Sequence, residues 1–200
     1  MTREPMPDPF ADQPDWAPRP PRSLALVPAV AEPELHGRRV LIGLPGTGWR
    51  GELRSDNKIV QNSRTYVPVL PEQEWYRAEA EQVEVFAPLV PIDRVWVERP
   101  DETQTAPTRG DVLSRLVSLD APTPRFPTPA VDAGPLTGRR LVHMKDGQEV
   151  RDLRAVTELH TGTDGDIVIR AMLEIDWYRW IWTGRPPESR EIPVHVVWVE

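Results

Sequence analysis

The side chains that could carry chemistry in this chain are carboxylates, histidines and arginines, because it contains no cysteine. Disulfides, thiolate metal sites and cysteine nucleophiles are thereby excluded. Three acidic positions recur at a constant interval of 102 residues: Glu72 with Glu174, Glu74 with Asp176, and Glu98 with Glu200. Paired carboxylates can act as general acid and base when they face each other across a substrate. No spacing singles out one of these pairs, and Glu72 and Glu74 flank an expected strand end, where solvated charge is ordinary.

The histidines, His36, His143, His160 and His195, form no i, i+4 pair and no cluster with carboxylates at ligand spacing, so nothing marks a metal ligand. His195 shares strand parity with core-facing Val197 and is expected to be partly buried and hydrogen-bonded. The run Gly46-Thr47-Gly48-Trp49-Arg50-Gly51 matches G-x-G-x-x-G in form. That motif works by placing a helix N-terminus against a pyrophosphate. Here Glu52-Leu53-Arg54-Ser55-Asp56 reads as a strand entering a turn, and the nucleotide reading fails. No serine lies in a nucleophile elbow. No cofactor is expected.

Arginines next to tryptophans are the remaining candidates. Arg38, Arg39, Arg77 and Arg94, and later Arg139, Arg140 and Arg179, stand near Trp75, Trp96, Trp177 and Trp198. Such groups can stack on single-stranded nucleic acid. The net charge is −7 and no segment has the basic excess a phosphate backbone demands. These arginines are expected instead to pair with carboxylates or to stack on the tryptophans.

The elements that must position these residues come in duplicate. Trp75-Tyr76-Arg77 and Pro91-Ile92-Asp93-Arg94-Val95-Trp96-Val97-Glu98 return as Trp177-Tyr178-Arg179 and Pro193-Val194-His195-Val196-Val197-Trp198-Val199-Glu200. Leu35-His36-Gly37-Arg38-Arg39-Val40-Leu41 returns as Leu136-Thr137-Gly138-Arg139-Arg140-Leu141-Val142. Prolines set the boundaries: nine of the 24 lie in residues 1–34 and seven in 99–135. The expected organisation is a proline-rich flexible arm (1–34), a first copy (35–98), a proline-rich linker (99–135) and a second copy (136–200). Within the arm, Ser23–Val30 is apolar enough to dock on a neighbouring surface. Within the linker, 111–119 has the spacing of a short helix with Asp111 as its cap.

Each copy reads as about five short strands: 37–42, 49–54, 65–70, 74–80 and 92–98 in the first. Alternation puts Val67, Val69, Val95 and Val97 on the inner face, with Thr65, and in the second copy Ile167, Ile169, Ala171, Val197 and Val199. The fold class is therefore mainly β, two tandem antiparallel sheets similar at the level of fold to small SH3-like barrels. That resemblance covers about 125 residues in two pieces and carries no function of its own.

The copies differ most where Ala78 and Ala80 become Trp180 and Trp182. Tryptophan and arginine dominate interface energetics, so Trp177, Arg179, Trp180 and Trp182, with Trp75, Arg77, Trp96 and Trp198, are the candidate partner-binding residues. The expectation is a cytoplasmic, non-enzymatic protein-binding or assembly protein that acts on a partner or on itself. The N-terminus lacks the pattern of a signal peptide, and no apolar run reaches the roughly 20 residues of a membrane span. A nucleic-acid-binding accessory protein, and an enzyme or receptor with a site between the copies, are the alternatives.

Overall fold

The structure, a computed structural model, describes residues 19–44, 48–102 and 121–200. It is mainly β: two curled antiparallel sheets of seven strands each, with two helices among the described residues. The expected helix over 111–119 lies outside them. One compact unit comprises Arg22–Phe126 with Ile175–Pro187, and the other is drawn chiefly from Pro127–Glu174 and Glu188–Glu200.

In the first unit the strands are β1 (Leu24–Pro28), β2 (Arg39–Leu44), β3 (Gly48–Ser55), β4 (Ile59–Gln61), β5 (Arg64–Pro71), β6 (Leu89–Pro91) and β7 (Val95–Pro100), with helix α1 (Glu72–Glu81) between β5 and β6. Their order is β1-β7-β2-β3-β5-β4, with β6 also on β5. The second sheet repeats this order element for element. Its strands are β8 (Thr128–Pro129), β9 (Arg140–Lys145), β10 (Gln148–Ala155), β11 (His160–Thr161), β12 (Ile167–Leu173), β13 (Arg190–Pro193) and β14 (Val197–Val199), with α2 (Glu174–Thr183) after β12. Each sheet keeps four of the expected five strands and adds a leading edge strand and two short ones. The apolar segment around Leu24 does dock, as β1 along β7.

Inner-face alternation holds. Val67, Val69, Val95 and Val97 are buried around Leu35, Val40 and Leu53, and Ile169, Ala171, Val197 and Val199 around Leu136, Leu141 and Leu153. Ile167 departs from this and is exposed. Both sheets curl at the same place. Val40 pairs Leu53 but Ile42 pairs Arg50, and Val150 pairs His143 but Leu153 pairs Leu141, so two residues of β3 and of β10 oppose one. The bulge puts Glu52 and Asp152 at φ of 56° and 59°, a left-handed geometry uncommon outside glycine.

The segments 74–80 and 176–182 are helical, not strands. Pro71, which cannot donate into a helix, sits at the N-cap of α1, Glu72 and Glu74 face the positive helix end, and the glutamate-alanine-arginine run favours helix. Both helices close with a left-handed residue, Gln82 at φ 52° and Gly184 at φ 67°. The consequence is a change of faces: Tyr178 and Trp182 are i, i+4 neighbours, while Trp180 points elsewhere.

Candidate functional site

The repeated carboxylates have a structural answer. Glu72 opens α1 fully buried, its Oε1 3.4 Å from the Nε of Arg39 on β2 and 3.4 Å from the Nε of Arg54 on β3. Arg54 also donates to the carbonyl of Gly37 at 2.9 Å and to the Tyr76 hydroxyl at 2.6 Å. The Tyr178 hydroxyl donates to Glu72 Oε2 at 3.1 Å. In the second unit Glu174 is fully buried, accepts from Arg154 Nε at 2.8 Å and lies 3.8 Å from Arg140 Nε, while Arg154 donates to Gly138 carbonyl at 2.9 Å. An Arg–Glu–Arg cluster thus ties the start of each helix to two strands. The pairing expected for Arg39 and Arg140 is found; Arg54 and Arg154, which close the clusters, were not singled out in the sequence. Their interval is 100 residues, against 101 for Arg39 and Arg140 and 102 for Glu72 and Glu174, and the matching bulges make them equivalent in the two sheets.

A second pairing is kept by different means in the two units. Glu200 binds Arg151 on β10. Its counterpart Glu98 binds Arg125 at 3.2 Å, because the position matching Arg151 is Gly51. A Cβ on Gly51 would stand 3.2 Å from the Arg125 guanidinium, so the glycine leaves the space that the linker arginine fills. Backbone bonds between Leu24 and Arg125, 2.8 and 3.2 Å, fix that linker residue to β1.

Among the predicted partner-binding residues, Trp75 is buried with an edge contact to His36, and Trp198 is buried. Arg77 is exposed and paired with Glu81 at 3.1 Å, and Arg179 with Asp176 at 3.3 Å. Trp177 and Trp182 are half-buried against a cluster of Leu70, Trp75, Tyr76 and Tyr178. Trp180 is half-buried, its ring edge-on to Trp177 at 5.6 Å, and Ile181 beside it is 52% exposed. His195 lies in the short 3-10 turn Val194–Val196 and is exposed, contrary to the parity argument, because that turn breaks the alternation ahead of β14.

Trp96 belongs to a different place. Its ring meets Trp49 at 6.1 Å and 78°, and Trp49 forms a wall of an open groove of about 480 Å³ with Ile42, Gly43, Gly48, Arg50, Val90 and Arg94. A Cβ on Gly43 would come within 2.5 Å of the Gly48 carbonyl and 2.7 Å of the Trp49 ring, so only glycine lets the indole lie there. At the matching position of the second unit, His143 replaces Ile42. Burial, and then the charges of Arg190 and Lys145, hold its pKa below the usual histidine value.

No family model, curated protein or solved structure matches the chain. No group of three or more histidines, aspartates or glutamates placed to hold a metal occurs among the described residues. No helix among them is long and apolar enough to cross a membrane.

Proposed function

We propose that this chain is a non-enzymatic binding or assembly protein in which two β sheets serve as scaffolds and α2 presents an aromatic face to another protein. The carrying observation is the contrast between equivalent helices. Where α1 has Ala78, Glu79 and Ala80, α2 has Trp180, Ile181 and Trp182; Trp182 faces the cluster around Tyr178, whereas Trp180 and Ile181 keep apolar surface in solvent. Exposed, rigid apolar groups of this size are characteristic of contact surfaces. The buried carboxylates Glu72 and Glu174, by contrast, are committed to holding the helix starts.

The test is a pull-down from native lysate together with sedimentation of the purified protein, for the parent and for Trp180→Ala and Ile181→Ser. Partner capture or self-association is expected to fall by roughly tenfold or more, with stability changed by no more than about 0.5 kcal/mol for Ile181→Ser and lowered by about 0.5–1.5 kcal/mol for Trp180→Ala, which gives up its edge contact with Trp177. Unchanged association would sink this reading, and so would unfolding of both variants.

A further inference from the structure

The two barrels differ at one end in a way that carries a second binding site, independent of α2. In the second unit Val150 and Val196 are half-buried against the core, and Ile192 beneath them is 2% exposed. These apolar side chains cover that end of the sheet. At the matching positions of the first unit stand Arg50, Arg94 and Val90: both arginines are exposed and Val90 is only half-buried. The same fold can therefore plug this end with two valines, and in the first unit it is left open as the Trp49 groove.

Several positions are committed to keeping it so. Gly43, where the second unit has Met144, admits the Trp49 indole; Trp49 replaces Glu149 and is buttressed by Trp96. The floor, Ile42 and Val90, is the rim of the apolar core. Arg50 and Arg94 have no carboxylate within ion-pair distance among the described residues. Two guanidiniums flanking an aromatic wall in an otherwise acidic protein favour a ligand that brings its own carboxylates.

We propose that this open barrel end binds an acidic peptide segment of a partner protein, its carboxylates on Arg50 and Arg94 and an apolar or proline side chain on Trp49. A trough open to solvent encloses too little of a small molecule to hold it well, whereas a peptide adds contacts along its length. Two arginines in a chain of net charge −7 are too few for a phosphate backbone, where affinity comes from many neutralised charges.

The experiment probes the whole protein on an array of short peptides in which Glu or Asp alternates with Trp, Tyr, Leu and Pro. The same peptides with Gln and Asn, and a single-stranded oligo-dT, are the controls. The variant Arg50→Val with Arg94→Val installs the residues of the second unit, which that fold already accommodates, and thermal melting checks its integrity. Retention of acidic peptides by the parent, weakened about tenfold in the folded double variant and absent for the amide peptides, is the expected result. Retention of no acidic peptide, equal retention by the double variant, or preference for oligo-dT would overturn the proposal. Trp180→Ala should leave peptide retention unchanged, so a failure here is distinguishable from a failure at α2.

Discussion

A glutamate with no solvent exposure is tolerable only if its charge is matched inside the protein, and Glu72 and Glu174 are each matched by two arginines. Such clusters cost desolvation and add little net stability against an apolar replacement, but removing one member leaves the others stranded. Glu72→Gln keeps the shape and removes the anion, so Arg39 and Arg54 face a neutral amide in a dry site. We expect the first unit to lose about 3–5 kcal/mol, read from the urea midpoint, with Glu174→Gln doing the same to the second. An unchanged midpoint would mean that water or another carboxylate satisfies the arginines. Ser55 shows the same economy on a neutral scale: fully buried, it donates to the Leu35 carbonyl at 2.7 Å.

At the level of elements, the exchange of Arg151 for the Gly51 and Arg125 pair makes a reciprocal prediction. Arg125→Ala should cost about 1–3 kcal/mol by leaving the buried Glu98 carboxylate short of a donor. Adding Gly51→Arg to that variant should recover most of the loss, since it rebuilds the arrangement of Arg151 and Glu200. Urea unfolding of the four members of the cycle measures the coupling, and additive losses would contradict it. No comparison of the copies could have revealed Arg125, because it lies outside both. What the sequence did disclose was the duplication, the hairpin around the glycines, the inward valines of β5, β7 and β14 and the inward Ile169 and Ala171 of β12, all consequences of side chains alternating along strands. The two helices stand where a period of two through Trp-Tyr-Arg predicts strands. The acidic first turn after Pro71 and the alanine-glutamate run were the helix signal, and in α2 bulky aromatics with weak helix preference hid it. The groove was legible in principle, as valine against arginine at two matched positions, since the interval of 100 between Leu53 and Leu153 also sets Arg50 against Val150; what the sequence does not show is that Arg50 and Arg94 line one groove with Trp49.

Over the whole molecule, the compact unit around the first sheet includes residues 175–187, so the order of the chain is not the order of its cooperative parts. Tyr178 carries that connection. It is 7% exposed, its ring stacks on Tyr76 at 5.4 Å and 23°, and its hydroxyl reaches Glu72. Tyr178→Phe keeps the stacking and loses one hydrogen bond to a buried carboxylate, about 1.5–3 kcal/mol, while Tyr178→Ala also empties the stacking site and should cost about 3–5 kcal/mol. The location of the loss tells more than its size. Native-state hydrogen exchange should show protection falling in β2, β3, β5 and β7 while β9, β10, β12 and β14 keep theirs, because local opening follows the contacts a residue makes and not its place in the sequence. If Tyr178→Ala lowers protection in β9, β10, β12 and β14 instead, α2 draws its stability from the strands that precede it, and its aromatic face is an extension of the second sheet.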